Sequence, residues 1–239
     1  MRSFFTILLF LATISLMAQT TDLPTTQVSD SLLLPTPDPK YREDQFYASI
    51  TYNIMQGMPK GYSQYSVSTG LGFGFLRDIP LNKKRNHAIA IGLGYSYNNI
   101  KHNLVVKDTL GANTYELTSK TAFDKNKLVL HYLELPLEFR WRTSNDTTHQ
   151  FWRIYTGVKL SYLIYDKAQN EPDGNTVHKV RNDANMNKLT TGLYVAAGYN
   201  TWNFYAYYGL TPVYKNTTLQ DGEKLSMHSL KLGLMFYIL

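Results

Sequence analysis

The chain has 239 residues, which is enough for one domain behind a leader sequence, and it contains no cysteine. Disulfide bridges, thiolate nucleophiles and zinc–thiolate sites are therefore excluded. The formal charge of +6 is dispersed along the chain apart from one short basic run, so the composition argues against a nucleic-acid-binding protein. The 19 tyrosines favour β-structure.

The N-terminal segment predicts export. Arg2 supplies a positive charge, residues 4–16 are mostly apolar, and Ala18 is a small residue suited to cleavage. We therefore predict a signal peptide at 1–18, with an uncleaved anchor helix as the alternative. Residues 19–44 are rich in Thr, Ser, Pro and Asp without a sustained period, which predicts a flexible periplasmic linker.

From residue 45 to residue 239 the hydrophobicity alternates with a period of two, which predicts one β-barrel domain. The length and even number of the predicted strands are typical of an outer-membrane barrel. The eight predicted strands are about 45–55, 62–76, 87–98, 128–142, 151–165, 188–199, 202–213 and 226–239.

The predicted connections alternate in length. Those at 77–86, 143–150 and 200–201 are short, whereas those at 99–127, 166–187 and 214–225 are long. Short periplasmic turns and long extracellular loops are the habit of membrane barrels. The first outer loop, at 56–61, is predicted to be short and breaks the trend.

A soluble barrel or sandwich with its apolar side chains inside would show the same alternation. Two further features favour a membrane. The polar faces of the second, third and sixth strands carry many Gly, Ala and Ser residues, which suit a narrow lumen. Trp141, Trp152 and Trp202 have apolar parity and fall at the strand ends beside the short turns, as membrane-interface aromatics do. We therefore predict an all-β fold, an eight-stranded antiparallel transmembrane β-barrel in contact with outer-membrane lipid.

Eight strands leave an interior that side chains can fill. We interpret the polar residues on the inner face as a structural network that plugs the barrel, and a polar ligand site or a narrow conduit is the alternative. The predicted lumen network is Glu134, Glu138, Arg140, Arg153, Tyr155, Lys159 and Lys231. Pro136 lacks a ladder donor, which predicts a local bulge in its strand.

The sequence shows no catalytic constellation. The six histidines are scattered, and neither a G-x-S-x-G elbow nor an H-E-x-x-H pattern is present. We therefore predict a protein that is not an enzyme and needs no metal or other cofactor. A lipid-modifying hydrolase whose triad assembles from distant strands stays an alternative.

Three stretches resemble the PorT family of the Bacteroidota. They are GFLRDIPLNKKRN at 74–86, LELPLEFRWRTS at 133–144 and FWRIYTGVKLSYLIY at 151–165. The resemblance implies an outer-membrane component of type IX protein secretion, and of gliding motility where the organism glides. Its partners would be other components of that machinery, and no catalytic residues carry over.

The resemblance directs attention to the predicted periplasmic turns. The basic run Lys83, Lys84 and Arg85 is either a solvated turn or a contact for an acidic partner or for lipid phosphates. Arg142 and Arg153 are expected to face the same side. The candidate partner contacts are Arg77, Asp78, Lys83, Lys84 and Arg85. The alternative function is that of a generic porin-like barrel with a structural, adhesive or ligand-binding role, carried by loops 99–127 and 166–187.

Overall fold

Strands account for most of the regular structure in the computed structural model, which describes residues 44–109, 111–143, 152–172 and 174–238. The predicted signal peptide, and the predicted linker up to residue 43, lie outside the described residues. The strands are β1 (Gln45–Gln56), β2 (Thr69–Pro80), β3 (His87–Lys101), β4 (Leu104–Thr109), β5 (Ala112–Leu117), β6 (Lys125–Arg142), β7 (Trp152–Glu171), β8 (His178–Arg181), β9 (Leu189–Tyr199), β10 (Trp202–Gly209) and β11 (His228–Ile238).

Eight of these strands form a closed antiparallel barrel in the order β1-β2-β3-β6-β7-β9-β10-β11, and β11 returns to pair with β1. Strands β4 and β5 form a separate hairpin, and β8 adds a short edge to β7. A 3-10 turn lies at Lys120–Ala122. In the described part of the chain, no helix is long and apolar enough to cross a membrane. The predicted fold class is confirmed.

The apolar side chains of the barrel strands point outward and the polar ones point inward, which is the reverse of a soluble barrel. Along β6, Leu133, Leu135 and Leu137 point outward and are 42–50% exposed, whereas Glu134 and Glu138 point inward and are at most 3% exposed. The same outward apolar pattern recurs on the other barrel strands. Soluble proteins rarely expose a contiguous apolar belt of this size, so this surface is suited to lipid.

Strand β1 begins and β11 ends at one end of the barrel, which we call the turn end. The connections at 81–86 and 200–201 lie there, and so do the end of β6 and the start of β7. The remaining connections lie at the other end, the loop end. The first connection there spans 57–68 and is not the short loop that we predicted at 56–61. The second strand was predicted from about residue 62, but β2 begins at Thr69. The segment before it contains Gln64, whose side chain forms hydrogen bonds with the backbone of β1. Gln64 accepts from the Met55 amide and donates to the Asn53 carbonyl, at 2.9 and 3.0 Å.

The loop-end connections contain regular structure that the sequence pattern did not predict. The hairpin β4–β5 and the strand β8 fall in segments that we predicted as loops. Strand β4 begins with three consecutive buried residues, Leu104, Val105 and Val106, so it lacks the alternation that identifies a half-buried strand.

Pro136 does not produce the bulge that we predicted. Its strand keeps one register against β3 on both sides of the proline, and the ladder omits only the pairs between Ile91–Leu137 and Gly94–Glu134. A gap in the hydrogen bonding is thus enough to accommodate the missing donor. The irregularity of β6 lies instead between His131 and Tyr132, against β7.

The loop-end segments pack together over the barrel. We call the described residues of 57–68, 102–124, 172–188 and 210–227 the cap. The Asn103 side chain accepts from the Ser63 amide at 2.8 Å and donates to the Thr118 carbonyl at 3.2 Å. The Lys60 amide donates to the Glu223 carboxylate at 2.9 Å. A buried apolar core lies beneath, and its members include Tyr62, Leu104, Tyr115, Met186, Tyr214, Leu219 and Leu225.

Candidate functional site

A buried cluster of charges fills the lumen near the turn end. The Asp78 carboxylate accepts two hydrogen bonds from Arg142 and one from Arg140, each at 2.9 Å. Arg142 Nε also donates to the backbone carbonyl of Arg85 at 2.9 Å. The bidentate Arg142–Asp78 pair is the strong geometry for a guanidinium and a carboxylate. Because β3 lies between β2 and β6, this cluster joins two strands that are not neighbours in the barrel.

Glu138 extends the turn-end cluster toward the middle of the lumen. Its Oε2 accepts from Arg140 Nε at 2.8 Å, and its Oε1 accepts from the hydroxyls of Tyr194 and Tyr237 at 2.9 and 3.1 Å. The Arg140 guanidinium lies 4.8 Å from the centre of the Tyr155 ring. The carboxylate is thus satisfied by one cation and two phenols, which offsets the cost of burying it.

A second ion pair lies farther along the lumen. Lys159 Nζ lies 2.8 Å from Glu134 Oε2, and Ser96 Oγ donates to Glu134 Oε1 at 2.7 Å. Lys159 also donates to the Tyr205 hydroxyl at 3.1 Å, and its ammonium lies 5.1 Å from the centre of the Tyr194 ring. These side chains therefore fill the middle of the barrel.

Lys231 lies nearer the loop end and is only partly buried. Its ammonium lies 5.1 Å from the centre of the Tyr207 ring and 5.9 Å from that of Tyr132. A cavity of about 20 Å³, lined in part by these three residues, lies beside it. That volume is enough for about one water molecule.

The structure brings the residues of the predicted lumen network into the barrel interior. Six of them are buried, and Arg153 lies over the rings of Tyr155 and Tyr237, at 5.6 and 5.5 Å. Sequence reasoning missed several members of the network, although parity along the strands gave a signal for each. The missed residues are Asp78, Ser96, Arg142, Tyr194, Tyr205, Tyr207 and Tyr237.

The candidate partner contacts divide into two groups. Lys83 and Lys84 are exposed, and Arg77 is half exposed and pairs with Asp44 at 3.3 Å. Asp78 was expected at the same surface, but it points into the lumen and is 1% exposed, because it shares the inward parity of Gly72 and Gly74 on β2.

The same correction applies to two arginines. Arg142 and Arg153 are at most 2% exposed, because both lie on the inward face of their strands. Arg85 is partly buried, has a positive φ of 55°, and accepts the Arg142 hydrogen bond through its carbonyl. Fewer of the predicted residues are therefore available to a partner at this turn, and Lys83 and Lys84 are the main ones.

The three tryptophans lie together on the outside of the turn end. Trp152 and Trp202 are 62% and 65% exposed. The Trp152 ring lies 5.5 Å from that of Tyr199, and the Trp202 ring lies 4.9 Å from that of Phe236. Trp141 lines the same apolar surface groove as Trp152 and Trp202. Exposed indole rings at one level of a barrel are typical of the boundary between lipid and water.

The cap also contains a buried titratable group, the imidazole of His102. His102 is buried and stacks on Tyr62 with ring centres 5.5 Å apart, and its Nδ1 accepts from the Leu104 amide at 3.0 Å. Burial lowers the pKa of His102 from 6.5 to about 3, so the ring stays neutral at physiological pH. Among the described residues, no group of histidine and carboxylate side chains is arranged to hold a metal ion.

A family model described as "Outer membrane protein beta-barrel domain" matches residues 17–215 of the chain. A search of curated proteins gave no match. Among solved structures, the chain is similar to the attachment invasion locus protein Ail of Yersinia pestis, with 10% identity, a TM-score of 0.36, and coverage of 82% of this chain and 99% of that chain. It is also similar to the N-terminal β-barrel domain of Pseudomonas aeruginosa OprF, with 11% identity, a TM-score of 0.31, and coverage of 82% and 98%.

Proposed function

Because the chain belongs to the outer membrane protein beta-barrel domain family, we propose that it is a closed, non-enzymatic barrel that holds partner proteins at the outer membrane. The protein lies in the cell outer membrane. The single observation that carries the proposal is the filled lumen, in which paired charges and tyrosine rings occupy the space that a pore or a substrate would need. A barrel that neither conducts nor catalyses acts through its surfaces.

We further propose that the partners are components of the type IX secretion machinery. The support is the resemblance of 74–86, 133–144 and 151–165 to the PorT family, together with the exposed lysines of the first turn. In this proposal the turn end faces the periplasm, and Lys83 and Lys84 contact acidic groups of a partner. Exposed lysines suit such a contact because they contribute mainly to the rate and specificity of association.

The test reverses the charge of this turn in the native organism. We expect the Lys83→Glu/Lys84→Glu double variant to lower the amount of secreted cargo severalfold, because like charges then oppose each other across the contact. Arg85 is left unchanged, because its backbone conformation and its carbonyl belong to the lumen cluster. The measurement is the amount of type IX cargo protein in the medium, beside the amount of folded barrel in the outer membrane.

The matched control makes the same charge change in the cap. Lys179 and Arg181 are exposed at the loop end, and the Lys179→Glu/Arg181→Glu variant should secrete cargo normally. Normal secretion by the turn variant, with the barrel inserted at the usual level, would reject the secretion contact. The alternative of a barrel with a structural or adhesive role would then be favoured.

A further inference from the structure

A polar pocket opens in the cap, at the opposite end of the barrel from the turn-end cluster. Its volume is about 330 Å³, and three separate segments of the cap form it. None of the described residues that line it carries a charged side chain. The amide and hydroxyl groups in its lining include those of Asn113, Thr114, Asn185, Asn216, Thr218 and Gln220.

Two of these amides are held in place from beneath. Asn113 Nδ2 donates to Asp183 Oδ1 at 2.8 Å, and Asn185 Nδ2 donates to the Tyr115 hydroxyl at 3.0 Å. One N–H of each amide is engaged in this way, which fixes the orientation of the side chain and leaves its carbonyl oxygen as an acceptor for a ligand. Side chains held in one orientation lose less entropy when they bind a ligand.

The carboxylate beneath the pocket is satisfied by hydrogen bonds from within the protein. Asp183 is buried and accepts hydrogen bonds from the Asn113 side chain, from the Tyr115 hydroxyl at 2.6 Å and from the backbone N–H of Asn185 at 2.9 Å. Burial and the hydrogen bond to Asp183 raise the pKa of Tyr115, so its hydroxyl remains a donor at physiological pH. The pocket therefore offers neutral hydrogen-bonding groups to a ligand.

Backbone hydrogen bonds hold the segment 216–220, which forms the third wall of the pocket. The Gln220 amide donates to the Tyr115 carbonyl at 3.1 Å, and the Leu225 amide donates to the Thr217 carbonyl at 2.8 Å. The first bond ties the segment 216–220 to the hairpin β4–β5, and the second holds that segment against the end of its own connection. The site is thus built by the tertiary structure of the cap.

We propose that this pocket binds a neutral sugar unit of a glycan. Amide and hydroxyl groups pair with the adjacent hydroxyls of a sugar ring, which each donate and accept hydrogen bonds. The volume lies near the lower limit of about 300 Å³ for ligand sites, which suits one or two sugar rings. An anionic ligand would find no cation in the described lining, and an apolar one would leave the amides unsatisfied.

The test is a ligand-observed NMR titration of the full barrel in a zwitterionic detergent, because detergents with sugar headgroups would compete. The probes are the methyl glycosides of the neutral hexoses and, for comparison, of an anionic uronic acid. We expect at least one neutral hexoside to bind with a Kd of about 1 mM and the uronic acid not to bind. The Asn216→Ala/Gln220→Ala variant should weaken binding about tenfold, as the loss of one or two neutral hydrogen bonds implies.

The control is Thr109→Ala, which removes an exposed hydroxyl from the same hairpin outside the pocket and should leave binding unchanged. Folding of each variant is checked by the change in gel mobility on heating. Failure of every neutral hexoside to bind the wild type would overturn the proposal, and so would equal binding by the pocket variant or preferential binding of the uronic acid. Competition with glycans from the cell's own envelope, or from foreign cells, then identifies the source of the ligand.

Discussion

The Asp78 carboxylate on β2 binds two arginines of β6, a strand that is not its neighbour in the barrel. This carboxylate is the shared acceptor of Arg140 and Arg142, and all three side chains are buried. Breaking a buried ion pair on one side costs about 3–5 kcal/mol, because the remaining charge has neither its partner nor water. The sequence signals Asp78 only through its parity on β2, which is why a charged residue beside a turn was expected at the surface.

We therefore predict that Asp78→Asn lowers the free energy of unfolding by about 3–5 kcal/mol. The matched control is Glu116→Gln, since Glu116 forms an exposed pair with Lys107 at 2.8 Å and should contribute less than about 1 kcal/mol. The measurement is the urea dependence of unfolding for the barrel refolded into lipid vesicles. Similar midpoints for the two variants would contradict the assigned role of Asp78.

At the scale of the elements, small residues of the strands make room for the tyrosine rings of the lumen. Gly192 of β9 and Gly209 of β10 are direct partners in the ladder, yet their surroundings differ. A Cβ at position 192 would lie 2.4 Å from the Tyr207 ring, whereas a Cβ at position 209 would meet its nearest atoms at 3.4 Å. The Tyr207 ring is itself confined by the ammonium groups of Lys159 and Lys231.

We predict that Gly192→Ala destabilises the barrel by about 1–3 kcal/mol, the usual cost of overpacking a filled interior. Gly209→Ala, the paired control, should change the stability by less than about 0.5 kcal/mol. Thermal unfolding of both variants, followed by gel mobility, makes the comparison. A Gly192→Ala barrel as stable as the Gly209→Ala barrel would show that the lumen has more free space than the structure gives it.

The elements also show how far the sequence predicts this molecule. Alternation identifies the eight barrel strands because each one faces lipid on one side and a polar lumen on the other. The cap has no such contrast. Leu104 and Val106 pack in a core with residues that are distant in sequence, and Val105 between them is also buried. Its hairpin, its core and its polar pocket depend on tertiary contacts such as that of Asn113 with Asp183, which no local pattern encodes.

In the whole molecule, the side chains of the lumen and the cap both block passage through the barrel. The paired charges described above close the barrel interior, and the apolar core of the cap covers its loop end. Below the cap, the described lumen contains three carboxylates, those of Asp78, Glu134 and Glu138. Asp166, at the loop end of β7, is also buried and pairs with Lys188 at 3.5 Å. The cationic side chains of the lumen below the cap number five and are Arg140, Arg142, Arg153, Lys159 and Lys231. The interior is therefore closed and electropositive.

This combination predicts the electrical behaviour of the barrel in a planar lipid bilayer. We expect the wild type to show no steady current, because ions would have to displace paired side chains from the lumen. Removing three rings with Tyr194→Ala, Tyr205→Ala and Tyr207→Ala should produce intermittent openings, and their reversal potential in a KCl gradient should indicate a preference for chloride. The preference follows from the excess of cationic over anionic side chains that line the opened path. A general porin serves as the control for insertion, and a steady wild-type current would show that the barrel is open.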